Sequence, residues 1–223
     1  MKQNNLQSIS YHFAKDMQPI TCCISYDPLP SLAIQALSEE DKRLYLDLLE
    51  KAQTSPKTAC DAVAKLFKRH GDIPEIVNLY TYLLLQQKKI QQAEELIQES
   101  YQKNPEYLFA KINYADQCLR RKKIEIIPRI FPSFSLLDLC PDRSVFHFTE
   151  FRGFMVVMGF YHLSLRKKDE ATMFYKAAFE ADAAHPSVIA LEKRVGTYRL
   201  FNQMREQINH FLGAIMQLPW ARR

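Results

Sequence analysis

Residues 74–107, PEIVNLYTYLLLQQKKIQQAEELIQESYQKNPEY, set how the rest of this chain is read. Apolar side chains recur there at three- and four-residue steps in two blocks, and a polar QKK turn at 87–89 separates them. That pattern predicts a helix, a short turn and a second helix. The unit recurs along the chain. From Ala59 to Ala93 is 34 residues, and from Ala93 to Ile127 is 34 again. An internal period of this size points to stacked supersecondary units, none of which can bury its apolar face alone.

With that period, the segment resembles the tetratricopeptide repeat family at the positions where two antiparallel helices pack closely. Small Thr81 lies where the first helix is crossed, large Leu84 follows, and small Ala93 sits where the second helix crosses back. Ile97, Ser100 and Pro105 fill the expected large, small and proline positions. Val77 and Thr81 stand where a large aromatic and a glycine are common in the family. A second copy lies in residues 154–186, with Gly159, Ala171, Tyr175 and Ala178 at the matching crossings. Its closing proline, Pro186, comes late, which predicts a longer second helix. Between these copies, LFAKINYADQCLRRKK supplies a first helix with Ala115 at its crossing. Its partner is degenerate, because Ile127 replaces a small residue and Pro128 and Pro132 would kink or end a helix.

The resemblance covers three to four degenerate repeats. It implies an all-α fold, a right-handed superhelical stack of antiparallel helix pairs. Residues 1–37 read as an irregular N-terminal arm, broken by Pro19, Pro28 and Pro30, with Ile20, Ile24 and Tyr26 hinting at extended backbone. Repeats are expected over 38–186, opening where Ser38 caps a helix whose first turn holds Glu39, Glu40 and Asp41. Ala171 follows Ile127 by 44 residues, so ten extra residues enter in an insertion near 128–150. Ile130, Phe131, Phe134, Leu136, Leu137, Leu139, Phe146 and Phe148 make that insertion strongly apolar. It either packs internally, the favoured reading, or presents a partner-binding patch. Residues 187–223 keep helical spacing from Val188 through Leu191, Val195, Tyr198, Phe201, Met204, Ile208, Phe211 and Ile215. They are expected to form C-terminal capping helices over the last repeat, or to pair two copies into a homodimer.

Composition narrows the chemistry. Only 5 of 223 residues are glycine, against about 7% in average usage. Phosphate-cradling loops, dinucleotide fingerprints, nucleophile elbows and paired-histidine zinc motifs are missing from the sequence. Gly153 and Gly159 fall within one predicted helix. Cys22 and Cys23 are adjacent, unlike metal ligands two to four residues apart. His147 and Glu150 share a helix spacing without the second pair that a carboxylate-bridged metal site requires. The sequence therefore gives no catalytic residue, no metal site and no cofactor, and the protein is expected not to be an enzyme. Five cysteines with no pairing pattern, no signal-like leader and no run of about 20 apolar residues predict a cytoplasmic protein that does not enter a membrane.

In the family, the first helix of each unit lines a groove. The residues expected to face a protein or peptide partner here are Asn78, Tyr82 and Leu85, then Phe109, Asn113 and Asp116, then Phe160 and Leu163. Ile112, Val156 and Val157 share that face, although Ile112 and Val156 read equally well as core. The surface is apolar and aromatic with a few amides, suited to an amphipathic helix or an extended peptide. Asn78 and Asn113 have no groove lysine beside them, so a clamp for a terminal carboxylate is not matched. A scaffold or adaptor follows, in a narrower form a secretion-type chaperone, as monomer or homodimer. The alternative is nucleic-acid binding through the basic helix ends at 120–123 and 166–168, ranked lower because cations there already offset helix dipoles.

Overall fold

The computed structural model describes residues 5–13 and 18–196. Helix α1 (Leu32–Gln35) is a single turn, and α2 (Glu39–Thr54) starts where Ser38 Oγ accepts the Asp41 amide at 3.1 Å. Pro56 begins α3 (Pro56–His70) at a position where its missing N–H costs nothing. Then come α4 (Pro74–Gln86), α5 (Ile90–Lys103) and α6 (Leu108–Arg120). Each of these helices from α2 onward packs on the next. Thr81, Ala93, Ser100 and Ala115 are all buried, and their small side chains let neighbouring backbones approach. The result is a stack of antiparallel helix pairs, as the repeat pattern predicts.

Three turns within pairs share one unusual conformation. Lys88, Lys122 and Arg166 have φ of 59°, 59° and 61°, in the left-handed region that glycine adopts most cheaply. The following amides close the preceding helices, from Lys89 to the Leu84 carbonyl, Lys123 to Cys118 and Lys167 to His162, at 2.8–2.9 Å. A side chain in that region costs about 1 kcal/mol per residue.

Past α6 the pairing stops. A 3-10 turn (Ile124–Ile126) and two single-turn helices, α7 (Ile127–Ile130) and α8 (Leu136–Leu139), replace the second helix of the third pair. Pro128 at the start of α7 and Pro132 just after it keep the segment short. Within the N-terminal arm, β1 (Leu6–Tyr11) and β2 (Ile20–Ser25) pair antiparallel. The insertion adds β3 (Val145–His147) parallel to β2, with Ile24 opposite Phe146. The arm is thus more regular than its prolines imply, because Pro19 lies before β2 and blocks no ladder bond. Alternation along β1 and β2 turns Ile9, Tyr11, Cys22 and Ile24 inward. The Tyr11 hydroxyl donates to the Phe134 carbonyl at 3.2 Å and accepts the Leu136 amide at 3.1 Å, tying hairpin to insertion.

The last pair is α9 (Phe148–Ser164) and α10 (Lys168–Asp182). At 15 residues α10 is only one longer than α5, so the expected longer second helix is absent. The delay before Pro186 is taken up by a turn at 183–185, and Pro186 opens the next helix, residues 186–196. Val188, Leu191 and Val195 of that helix are buried. The expected continuation through Tyr198, Phe201, Met204, Ile208, Phe211 and Ile215 lies outside the described residues. One hydrophobic core joins the hairpin, the insertion, α6, α9, α10 and residues 186–196, and a second joins α1 to α4. Ile130, Phe131, Leu136 and Phe146 are buried in the first, so the insertion packs internally.

Two tests follow from this packing. A Cβ on Gly159 would stand 2.5 Å from Leu191 Cδ2, itself fully buried. Gly159→Val should therefore lower the unfolding free energy by about 2 kcal/mol in chemical denaturation, despite the removal of a helix-interior glycine. His162 packs against the rings of both Phe134 and Phe174, at 5.1 and 5.2 Å, and neither ring nitrogen finds a partner. Burial lowers its pKa to about 4 from 6.5, the charge of Lys167 adding to the effect and that of Glu170 opposing it. The folded state therefore favours neutral His162, and the unfolded chain takes up the proton first. Stability is unaffected above pH 6.5 and falls as pH drops toward 4. Between pH 7 and pH 5 the loss from this group is about 2 kcal/mol. His162→Phe should remove that part of the pH dependence, read as denaturant midpoints at the two pH values.

Candidate functional site

Helices α4, α6 and α9 lie side by side and in register. Asn113 Nδ2 donates to Asn78 Oδ1 at 2.8 Å, joining the first halves of α6 and α4. A Cβ on Gly153 would stand 3.2 Å from Ile112 Cγ2, so α9 crosses α6 closely at the same level. The three first helices thus present one continuous face.

The residues predicted for that face occupy graded positions. Tyr82 is 39% exposed, while Leu85, Phe109, Phe160 and Leu163 are half-buried. Phe109, Phe160 and Leu163 rest on the core beneath them. Asn78 and Asn113 are held by their mutual bond. Asp116 is exposed and takes Arg120 Nε at 2.9 Å, one helical turn on. Ile112, Val156 and Val157 are only 5%, 6% and 3% exposed, and belong to the core.

Other polar groups beside this face are not evident from the repeat frame. Arg152, on the first part of α9, is mostly buried and pairs through Nη1 with Asp182 of α10. Its guanidinium lies 5.7 Å from the Phe148 ring centre, its Nε has no partner, and the Tyr82 phenol lies within its electrostatic reach. Phe148 in turn stacks on Tyr26, whose hydroxyl donates to the Ala181 carbonyl at 3.1 Å. The end of the N-terminal hairpin therefore packs beside this ion pair. Glu75, one turn before Asn78, has a buried Oε2 without a partner. The phenols of Tyr45 and Tyr107 are pushed up by burial, and the charge of Glu75 pushes the same way. Arg152 is nonetheless distinctive in sequence, as the one arginine in the apolar helix FTEFRGFMVVMGFYHLS.

The reactive-looking groups have structural partners. His147 caps α9, its backbone amide donating to Glu150 Oε2 at 3.1 Å. Glu150 also takes both Arg143 Nη atoms, at 3.0 and 2.6 Å. Burial pushes the Cys22 thiol up to about 11, so it stays protonated at neutral pH. Among the described residues, no group of three or more His, Cys, Asp or Glu side chains is placed to hold a metal ion. No helix among them is long and apolar enough to cross a membrane.

No family model matches the chain, and no curated protein matches it. Among solved structures, it is similar to MamA (residues 41 to the end) from Desulfovibrio magneticus RS-1. The identity is 11% and the TM-score 0.49, over 83% of this chain and 98% of that one. A MamA RS-1 double mutant is 12% identical with a TM-score of 0.47, over 84% and 98% of the two chains. The helix-pair stack described above rests on the packing of this chain's own helices.

The Arg152–Asp182 pair gives a test of the site's framework. Asp182→Ala leaves a largely buried guanidinium unpaired and should cost about 2 kcal/mol of unfolding free energy. Adding Arg152→Met should recover most of that loss. Equal stability of the single and double variants in urea titrations would show that the unpaired guanidinium carries no penalty.

Proposed function

We propose that this protein is a non-catalytic interaction scaffold or adaptor that binds a helix or extended segment of a partner protein on the α4–α6–α9 face. The observation that carries the reading is the row of half-exposed Leu85, Phe109, Phe160 and Leu163 with Tyr82, set on three helices in register. Rigid helices pre-pay the ordering of the surface, so little entropy is lost when a partner docks. Aromatic anchors of this kind carry most of an interface's energy, and the amides of Asn78 and Asn113 offer backbone-matching hydrogen bonds beside them. In its narrower form the protein holds a partner segment as a secretion-type chaperone does, in the cytoplasm.

Tyr82→Ala and Phe160→Ala test this. Each should weaken partner binding by about 2 kcal/mol, roughly thirtyfold, when the native partner is recovered by affinity capture and titrated back. Tyr82 is exposed, so its variant should unfold at nearly the wild-type denaturant midpoint. Unchanged recovery of the same partner by both folded variants would place binding elsewhere.

A further inference from the structure

The three left-handed turns are all occupied by cations. Lys88, Lys122 and Arg166 stand where glycine would be free of strain, and each is exposed. Each turn carries a second cation at the next residue, Lys89, Lys123 and Lys167, also exposed. The shared level of α4, α6 and α9, fixed by the Asn78–Asn113 bond and the Ile112–Gly153 contact, brings their C-terminal ends to one edge of the stack. The three basic turns therefore lie along one edge, at the ends of the helices whose sides form the face described above.

Helix-dipole compensation accounts for only part of this arrangement. At the end of α6 Arg120 already meets that need in ordinary helical backbone, whereas α4 has no basic residue in its last turn and α9 only the buried His162; in all three a cation one turn earlier would serve without a left-handed backbone. Arg120 and Arg121 are also held by Glu94, which sits near the start of α5. No ion pair among the described residues engages Lys88, Lys122 or Arg166. Strain retained at three equivalent positions, each time by a cation with no ion pair among the described residues, is the observation from which a binding surface is inferred.

We propose that this edge binds an acidic polypeptide segment, with aspartate or glutamate side chains meeting the three turns in succession. Adjacent helices stand about 10 Å apart, so the row spans about 20 Å, the reach of about six extended residues. The turn segments QKKI, RKKI and LRKK contain no aromatic ring on which a nucleobase could stack. The arginine forks best suited to phosphate at Arg120 and Arg121 are already occupied by Glu94, leaving mainly lysine point charges for carboxylates.

The experiment uses fluorescein-labelled octaglutamate as probe, with the full chain at low and at physiological salt. Wild type should bind it with an affinity that falls steeply as salt rises. The triple variant Lys88→Gly, Lys122→Gly, Arg166→Gly should bind at least tenfold more weakly while unfolding at the same or a higher denaturant concentration. The triple asparagine variant should behave alike, since asparagine also tolerates this backbone. A control, Lys57→Gln, Lys65→Gln, Lys68→Gln, removes the same charge from exposed sites on α3 and should bind as wild type does. Equal weakening in control and turn variants would overturn the proposal, as would unchanged affinity in both turn variants. Tighter binding of an eight-nucleotide oligothymidylate, or of phosphatidylserine vesicles, with the same dependence on the three turns would overturn it in favour of that ligand. Because Tyr82 and Phe160 lie off this row, their alanine variants should leave octaglutamate binding unchanged, so failure here is distinguishable from failure of the groove.

Discussion

A helix pair that loses one helix leaves the apolar side of the other in water, and much of this structure follows from meeting that constraint once. The third pair has a first helix, α6, but no second helix of normal length. Its place is filled by α7, α8 and β3 from the insertion and by β1 and β2 from the far end of the chain. Phe146, Phe151, Phe154 and Phe174 are fully buried in the result, each gaining about 2–3 kcal/mol from removal of apolar surface. Without the hairpin, Tyr11 would leave Phe174, Phe151 and the Phe134–Leu136 backbone uncovered. The ends of the described chain thus meet in the second half of the stack rather than at opposite ends of it.

This arrangement divides the molecule energetically. The first core, around Leu48, Val63, Leu66 and Ile76, is made of helices close in sequence, and its contacts are local. The second core depends on contacts such as Tyr11 to Leu136, more than 120 residues apart. Contacts of long sequence separation form late because loop closure must precede them. The inward-facing His162, with no hydrogen-bond partner on either nitrogen, lies against this second core, so the acid sensitivity it brings falls on that half of the stack.

The helix pairs were legible because their signals are local. Ser38 and Pro56 mark helix starts, and the small residues Thr81, Ala93, Ala115 and Gly159 mark crossings at a fixed period. Extended backbone was hinted at by Ile20 and Ile24, but its pairing was not legible, because β2 finds β3 about 120 residues later and short alternating runs such as LQSISY carry no record of their partner. The insertion's burial could be argued from the cost of exposing so many aromatic and leucine side chains, but its route across α6 could not. On the candidate face, residue types were readable and their relations were not. Asn78 and Asn113 could each be placed on a groove, whereas their bond to one another depends on the level at which α4 and α6 cross. Arg152 is not marked by the repeat frame, because that frame is carried by small residues at helix crossings.

The same few contacts that build the candidate groove also build the basic edge. The register set by Asn78 with Asn113, and by Ile112 with Gly153, fixes both the alignment of the half-exposed aromatics and the line of the three turns. A helix is stiff along its axis, so a shift of α6 by one residue would move Phe109 against Tyr82 and Lys122 against Lys88 by the same 1.5 Å or so. Neither surface can be retuned without moving the other. A scarcity of glycine belongs to this logic. Glycine at the turns would relax the backbone and remove the charge together, whereas at 153 a Cβ would press on Ile112 at 3.2 Å and at 159 it would meet Leu191 at 2.5 Å. Among the described glycines, 153 and 159 stand at close helix crossings, while the three left-handed turns carry cations in their place.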